Sequence, residues 1–140
     1  MIFRYFKLSL VFFILSSSLE AKSQFFEEGL NFYNDKKFDK AKFKFEQDLV
    51  YNPKNEMSYL YLSKIFKKLN NKNLQEKNLN TVILLNPQNE EAIYNLAKLK
   101  LDASDYSKSK ELNDKLAKLC SKLCSESQKL KKEIENLSKK

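Results

Sequence analysis

The side chains of this sequence best suited to covalent or redox chemistry are two cysteines, Cys120 and Cys124. Their CxxxC spacing differs from the CxxC of redox motifs, and no strand pattern surrounds it, which disfavours redox catalysis. The sequence contains no His, so it lacks the side chain that titrates near neutrality and the commonest nitrogen ligand for transition metals. Two thiolates without further ligands make a poor metal site. We therefore expect no enzyme, no metal site and no cofactor, although the composition leaves a carboxylate or lysine site open.

Basic side chains outnumber acidic ones by 26 to 18 in the 140 residues, which gives a formal charge of +8. Arg4 is the one arginine, and the other basic residues are lysines. Recognition of bases and bidentate contact with phosphates favour the guanidinium fork of arginine over the point charge of lysine. No nucleic-acid partner is therefore expected. An A+T-rich coding sequence also produces lysine-rich proteins, so the charge by itself does not identify a partner.

Residues 1–21 have the layout of a secretory signal peptide. Arg4 and Lys7 come first, an apolar run interrupted by one serine covers residues 8–15, and small residues lead to Ala21 as the last residue removed. The run is shorter than the roughly 20 apolar residues that span a bilayer. An uncleaved amino-terminal membrane anchor is the alternative. No cysteine lies near the cleavage site, so a lipid anchor is not expected.

Cleavage after Ala21 would leave 119 residues, with 24 basic and 17 acidic side chains, a charge of +7 and no arginine. That length suffices for one domain with a continuous core. The expected location is the periplasm or another extracytoplasmic compartment, away from the cytoplasmic nucleic acids. Acidic proteins, anionic lipids and anionic wall polymers are the natural counterparts of a basic protein there.

An internal repeat organises the rest of the chain. The segment 52–56, with sequence NPKNE, returns as NPQNE at residues 86–90, and both prolines of the protein lie in these two copies. The flanking residues recur in register, as Tyr59 with Ile93 and Leu62 with Leu96 illustrate. The chain has a single Gly, whereas hairpin-rich sheet proteins use glycine at their turns, so the repeating unit is predicted to be helical.

Each unit presents large, small and proline residues at fixed offsets. The first unit offers Phe25, Gly29, Phe32, Ala41, Phe45 and Pro53. The second offers Tyr59, Ser63, Phe66, Gln75, Leu79 and Pro87. The third offers Ile93, Ala97, Lys100, Ser109, Asn113 and Ser121. The period of about 34 residues and the residue types at these positions resemble the tetratricopeptide-repeat (TPR) family. Gln75 departs from the small residue of that pattern, and the third copy is degenerate, as terminal repeats often are.

The resemblance implies an all-α, right-handed solenoid of about three helix-turn-helix repeats with a carboxy-terminal capping helix. The repeat domain covers residues 22–124, with repeats at 22–55, 56–89 and 90–123, and the capping helix covers 125–140. Apolar residues at helical spacing and the two Asn-Pro pairs set the predicted helix limits. The helices are expected at about 23–35, 39–51, 55–69, 73–85, 89–102 and 106–121.

Two interpretations fit the carboxy-terminal region. In the first, Ser125 and Gln128 form a capping box that starts a separate helix, whose apolar face ends at Leu137. In the second, a heptad stagger continues through one long helix over residues 107–138. Cys120 and Cys124 bear on this choice.

An even number of cysteines in an exported protein favours a disulfide between Cys120 and Cys124. Residues four apart in an unbroken helix hold their Cβ atoms about 5–6 Å apart, whereas a disulfide needs about 3.5–4.5 Å. A bridge therefore requires the chain to turn at residues 121–123, as the separate capping helix predicts.

In the TPR family the first helix of each repeat lines a groove that holds a partner segment. Carried over residue by residue, the resemblance implies a groove lined by Phe26, Leu30, Tyr33, Met57, Tyr61, Lys64, Lys68, Tyr94, Asn95 and Lys98. Some members grip the terminal carboxylates of chaperones with lysine, arginine and asparagine. Here apolar residues and Glu91 stand in most of those places and Asn95 alone is polar and uncharged, so this activity is not expected.

The sequence predicts a non-enzymatic scaffold of the cell envelope that binds a protein or peptide segment. The hypothesis is a segment with an apolar portion followed by acidic residues that meet Lys64 and Lys68; otherwise these lysines form a solvated face and binding occurs elsewhere. The alternative function is a basic peripheral protein that binds anionic membrane or cell-wall polymer through dispersed lysines. Membrane contact is expected only in that peripheral form or through an uncleaved amino-terminal anchor.

Overall fold

The computed structural model describes residues 23–139, and over that range the chain forms seven α-helices and no strand. The predicted signal peptide at residues 1–21 lies outside the described residues. The helices are α1 Gln24–Asn34, α2 Phe38–Tyr51, α3 Glu56–Lys68, α4 Lys72–Leu85, α5 Glu90–Asp102, α6 Tyr106–Leu119 and α7 Cys124–Leu137. None of them is long and apolar enough to cross a membrane.

The predicted all-α repeat architecture is confirmed. The first six helices lie within two residues of their predicted limits. Helix α1 packs on α2, α3 on α4, and α5 on α6, and each pair then stacks on the next. Helices α3, α5 and α7 begin at Glu56, Glu90 and Cys124, and one full repeat length separates each start from the next. The capping helix α7 therefore continues the register of the repeat as the first helix of a fourth unit.

The turn inside each helical pair has the same backbone geometry in all three repeats. Lys36, Asn70 and Ser104 have φ angles of 60°, 55° and 60°, and they occupy the same position of successive repeats. This left-handed conformation is disfavoured for residues with a Cβ atom, and Asn tolerates it better than most. Sequence reasoning missed these positions because none of them holds glycine.

Side-chain oxygens start five of the described helices. Each accepts a hydrogen bond from a backbone N–H in the first turn, which satisfies a donor that the helix itself leaves free. The capping residues are Ser23, Asn55, Asn71, Asn89 and Asp105. The short connections between the helices thus contribute directly to helix stability.

The described core consists of two apolar clusters. The amino-terminal cluster contains Phe26, Ala41, Phe45, Leu62, Ile65 and Phe66. The carboxy-terminal cluster contains Leu60, Leu79, Val82, Ala92, Ile93, Leu96, Ala97, Leu99, Leu101, Leu112, Leu116, Leu130 and Ile134. Helix α3 contributes residues to both clusters, so it joins the two parts of the core.

The close approach of α1 and α2 depends on the absence of a side chain at Gly29. A Cβ atom on Gly29 would lie 2.7 Å from Cε1 and 2.8 Å from Cδ1 of Phe45. The Phe45 ring is itself fixed, because it is fully buried and stacks on Tyr61 with ring centroids 5.2 Å apart. The same position holds Ser63 in the second repeat and Ala97 in the third, where the facing residues are smaller than Phe45.

The degenerate third repeat replaces apolar contacts with satisfied polar ones. The buried Asn113 amide donates to the Ser127 carbonyl oxygen at 3.1 Å, and the Ser127 hydroxyl donates to Asn113 Oδ1, also at 3.1 Å. The buried Ser109 hydroxyl donates to the Ala97 carbonyl oxygen at 2.9 Å. Buried polar groups are tolerated when they are hydrogen-bonded, so these pairs fix α6 against α5 and α7.

A buried carboxylate, Asp48, joins the first repeat to the second. It is 0% exposed, whereas apolar residues stand at the equivalent positions of the other repeats. The hydroxyl of Ser23 and the amide of Asn52 donate to its Oδ1. The Asn55 amide donates to its Oδ2 at 2.7 Å, and the Ser58 hydroxyl donates to the same oxygen at 2.5 Å. The carboxylate therefore ties α1, α2 and α3 together.

The hydrogen bonds to Asp48 also stabilise its charge. Burial by itself would raise the pKa of Asp48, but the bonds from two hydroxyls and two amides outweigh burial and hold it below the ordinary value of 3.8. A carboxylate that accepts several hydrogen bonds is favoured in its ionised form. Ionised Asp48 therefore contributes to stability at neutral pH.

The chain turns sharply after α6, so the long helix over residues 107–138 does not form. Helix α6 ends at Leu119 and α7 begins at Cys124. The capping box at Ser125 and Gln128 was also predicted wrongly, because the amino-terminal flanking residue of α7 is Leu123 and no side chain of that residue caps the helix. We call residues 120–123 the cap turn.

Replacing Gly29 with alanine should destabilise the protein despite the higher helix propensity of alanine. Overpacking against Phe45 costs about 1–3 kcal/mol, and the propensity gain of about 1 kcal/mol offsets part of it. Urea denaturation measures the net loss. The double variant Gly29→Ala/Phe45→Leu makes room for the methyl group, so its loss should be smaller than the sum of the single losses. Additive losses would show that the contact does not limit packing.

Replacing Asp48 with asparagine should lower the free energy of unfolding at neutral pH by about 1–3 kcal/mol. The two donors that bind one of the carboxylate oxygens would then face an NH₂ group, which cannot accept their hydrogen bonds. Since the folded pKa of Asp48 is lowered, its contribution is complete above 3.8 and is lost as the pH falls through the folded value. The difference in the free energy of unfolding between wild type and Asp48→Asn should therefore become smaller as the pH is lowered. The exposed Asp114→Asn is the control, and a gap that is independent of pH would contradict this assignment.

Candidate protein-binding groove

The first helices of the repeats lie side by side and share one surface. Lys64 of α3 pairs with Glu91 of α5 at 2.8 Å. Lys98 of α5 pairs with Glu133 of α7 at 2.9 Å. Between α1 and α3, the rings of Tyr33 and Tyr61 meet edge to face. We call the surface formed by α1, α3, α5 and α7 the groove.

Tyr61 lies at the centre of an aromatic cluster near the amino-terminal end of the groove. Its ring stacks on Phe45, and its centroid lies 5.0 Å from Tyr33 and 6.1 Å from Phe26. Lys64 Nζ lies 4.7 Å from the same centroid, a cation–π contact. Tyr61 is only half-buried and is held in place. Phe26 was predicted to line the groove but is 4% exposed, so it is a core residue that supports Tyr61 from below.

The predicted lysines of the groove differ in their availability. Lys64 and Lys98 are held by carboxylates of neighbouring helices. Burial alone would lower the pKa of Lys98, but its hydrogen bond and ion pair with Glu133 raise it. Lys68 is exposed and forms no ion pair within residues 23–139. Two of the three cations thus stabilise contacts between repeats before any partner arrives.

An open cavity of about 660 Å³ lies at the amino-terminal ends of α3 and α5. Its walls come from those two helices, the connection between α4 and α5, and the cap turn. The lining residues are Glu56, Met57, Leu60, Asn86, Gln88, Asn89, Glu90, Glu91, Tyr94, Asn95, Ser121, Lys122 and Leu123. Met57, Tyr94 and Asn95 of the predicted groove lie here, whereas Leu30, Tyr33, Lys64, Lys68 and Lys98 lie outside this cavity.

Sequence reasoning missed the carboxylates of the cavity. Glu56 and Glu90 occupy the same position of successive repeats, and this equivalence was the available signal. Each binds the connection that follows the second helix of its own repeat. Glu56 Oε1, for example, accepts a hydrogen bond from the Asn86 amide at 3.1 Å. The second and third repeats therefore use the same acidic position to hold the connection that follows their second helix.

Glu90 holds the cap turn with both carboxylate oxygens. Oε1 accepts from the backbone N–H of Ser121 at 2.8 Å and from its hydroxyl at 2.6 Å. Oε2 accepts from the backbone N–H of Lys122 at 3.0 Å and of Leu123 at 2.8 Å. These donors precede α7, so Glu90 supplies from a distant helix the acceptors that a capping side chain would provide locally.

The pKa of Glu90 reflects this arrangement. The hydrogen bonds from the Ser121 hydroxyl and from three backbone N–H groups lower the pKa of Glu90 from 4.5 to about 2. Hydrogen bonds to the charged form favour that form. Glu90 therefore stays ionised, and the cap turn stays held, well into the acid range.

The structure pairs Cys120 with Cys124 across the cap turn. Their Cα atoms are 5.0 Å apart, within the range that disulfides adopt. This pairing requires the turn that the sequence predicted at residues 121–123. Oxidation of the pair in the protein itself stays a prediction. Among residues 23–139 no group of three or more His, Cys, Asp or Glu side chains is placed to hold a metal ion.

No protein-family model and no curated protein matches the sequence. Solved structures do match the fold. The TPR2B domain of yeast Sti1, in complex with pHsp70, aligns with a TM-score of 0.72 and 15% identity over 79% of this chain and 92% of that one. The Sgt2 TPR domain of Aspergillus fumigatus aligns with a TM-score of 0.70 and 18% identity over 83% of this chain and 80% of that one. This chain has the TPR fold.

A bacterial structure extends the likeness of this TPR fold further along the chain. The Yersinia enterocolitica type III secretion chaperone SycD, in complex with a peptide of the translocator YopD, aligns with a TM-score of 0.74 and 13% identity. The alignment covers 89% of this chain and 96% of that one. At these identities the comparison concerns the arrangement of helices and not individual side chains.

Removing the Glu90 carboxylate should release the cap turn of this TPR fold. In Glu90→Ala the backbone N–H groups of Ser121, Lys122 and Leu123 lose their acceptor, so their hydrogen exchange should accelerate by about tenfold or more. NMR at a pH above 4.5 measures it. The neighbouring Glu91→Ala removes a carboxylate that does not bind the turn and should leave the exchange unchanged. Equal exchange in Glu90→Ala and wild type would contradict the role of Glu90.

As the pH falls, the hydrogen bonds from the cap turn to Glu90 should persist below the pH at which a glutamate side chain usually becomes protonated. Because the folded pKa is lowered, the contribution of Glu90 is complete above 4.5 and is lost only as the pH falls through about 2. The same amides, followed during an acid titration, should lose their protection near the lower value. Loss of protection already near 4.5 would show that the hydrogen bonds are weaker than the geometry indicates.

Proposed function

We propose that this chain is a non-enzymatic scaffold whose groove binds a segment of a partner protein. The observation that carries the proposal is the open cavity between α3, α5 and the cap turn, which leaves Met57 and Tyr94 accessible beside polar side chains. A concave site with apolar walls and a few polar groups is the usual form of a binding site. The shape suits an extended or helical segment better than a flat protein surface.

Two further observations support a partner in the groove. The solved structures of Sti1 and SycD, which share the fold, are complexes with pHsp70 and with a YopD peptide. Within this chain, Lys131 stands in α7 at the position that Gly29 and Ala97 hold in earlier first helices. A lysine there prevents a further helix from packing on α7 as closely as α2 packs on α1. This favours the groove over that face of α7 as the surface that binds a partner segment.

The place of action that we propose is the cell envelope, after export. The support comes from the signal-peptide layout of residues 1–21, with its basic start, short apolar run and small residues before Ala21. A disulfide between Cys120 and Cys124 would suit an oxidising compartment outside the cytoplasm. An exported scaffold with an accessible groove would assemble or hold envelope proteins.

The second candidate function is peripheral binding to anionic membrane or wall polymer. One observation favours it. The second helices of the first two repeats, α2 and α4, which we call the outer helices, expose large apolar side chains beside lysines. Phe43, Val50 and Leu84 are 57%, 76% and 81% exposed, and Val50 and Leu84 are equivalent positions of two repeats. Binding through lysines at such a surface would fall steeply with added salt, whereas groove binding with apolar anchors would persist.

Photo-cross-linking in cells distinguishes the two surfaces. A cross-linking amino acid placed at Tyr94, inside the cavity, should capture one or a few discrete protein partners. The matched control places the same amino acid at Asn80, an exposed position of α4 outside the cavity. Capture at Asn80 but not at Tyr94 would contradict groove binding, and lipid or polymer adducts at Asn80 would favour the second candidate.

A further inference from the structure

The cavity has a charge opposite to that of the protein as a whole. Its lining contains Glu56, Glu90 and Glu91 but one cation, Lys122. The full chain carries a charge of +8. An acidic cavity on a basic protein selects against the ligands that the net charge would attract, because the local field near a site depends on the nearest charges.

Two of these carboxylates keep an oxygen available for a partner. Glu56 accepts one hydrogen bond, from Asn86 to Oε1, and forms no ion pair within residues 23–139. Glu91 pairs with Lys64 through Oε1, and its side chain is 46% exposed. Glu90 differs, since the cap turn occupies both of its oxygens. Glu56 and Glu91 are therefore the groups that can meet a cation.

Apolar surface lies directly beside these carboxylates. Met57 follows Glu56 on α3 and is 37% exposed, while Leu60 forms a buried part of the wall. Tyr94 faces the same cavity from α5, one turn after Glu91. An apolar side chain packed between Met57 and Tyr94 would bring the next residue of its own chain within reach of a carboxylate.

We propose that the cavity binds a partner segment in which an apolar side chain stands next to a lysine or arginine. The apolar side chain packs against Met57, Leu60 and Tyr94, and the cation meets Glu56 and Glu91. This inference rests on the proposed function and replaces the acidic partner that the lysines of the groove had indicated. Lys64 and Lys98 are paired with Glu91 and Glu133, and the unpaired Lys68 lies outside the cavity. Within residues 23–139, Oε2 of Glu56 and Oε2 of Glu91 accept no hydrogen bond.

Two labelled peptides of opposite charge, which differ only at two positions, test the proposal. The basic probe is GSLKGSLKGS and the acidic probe is GSLEGSLEGS. Fluorescence anisotropy at low salt measures their binding to residues 22–140, the chain without its predicted signal peptide. The net charge of the protein favours the acidic probe, so nonspecific attraction cannot mimic the expected result. We expect the basic probe to bind tighter by about fivefold or more.

Matched variants assign the binding to the cavity. Glu56→Gln removes the charge but keeps an oxygen for Asn86, so it should weaken the basic probe by about two- to fivefold without weakening the acidic one. Asp114→Asn, an equal charge change on the exposed face of α6, should alter neither probe. Met57→Ser should weaken both. Circular dichroism of each variant verifies that the helices are retained.

The outcomes separate this inference from the proposed function. Tighter binding of the acidic probe, or binding of neither probe, would overturn the basic-segment proposal, as would a basic probe insensitive to Glu56→Gln. In each case capture of a partner at Tyr94 would leave the proposed function standing. Failure of capture at Tyr94, with binding at the outer helices instead, would overturn both.

Discussion

Helix α3 is the element on which the remainder of the described fold depends. Leu60 belongs to the carboxy-terminal cluster, while Leu62 and Phe66 belong to the amino-terminal one. A two-helix repeat cannot bury its apolar surface alone, so each repeat requires a neighbour. Since α3 serves both clusters, loss of its packing would expose apolar surface on both sides. The two clusters are therefore coupled, and Tyr61 of the same helix connects the groove to the amino-terminal cluster.

Polar contacts fix the repeats in two ways. Asp48 joins the first repeat to the second through Ser58, whereas Glu56 with Asn86 and Glu90 with the cap turn each hold the end of their own repeat. Near-identical repeats could pair in more than one register. A buried polar group that finds its partners in one arrangement only raises the free energy of the others. Asp48, whose equivalents Val82 and Leu116 are apolar, therefore specifies which repeat stands first and also contributes to stability.

The sequence predicted the helices from the local spacing of apolar residues, and it placed Gly29 among the fixed-offset positions of the first repeat unit. It also predicted the turn between Cys120 and Cys124, from the distance that a disulfide needs. It failed where the determinant lies far along the chain. The acceptor for the cap turn is Glu90, which is 31 to 33 residues away, and no local pattern marks such a pair. Phe26 was misassigned because positions carried over from the family do not separate the rim of a groove from the core beneath it.

The local charge of the groove follows from the architecture of the helices. Acidic residues in a first turn and basic residues in a last turn complement the helix dipole, so parallel first helices bring their acids together at one end. Glu56, Glu90 and Glu91 are such first-turn residues, and Lys67 and Lys68 end α3 at the opposite edge. The net charge of the chain is therefore a poor guide to its partner. In a repeat protein of this kind, the chemistry of a bound segment depends on which end of the first helices it contacts.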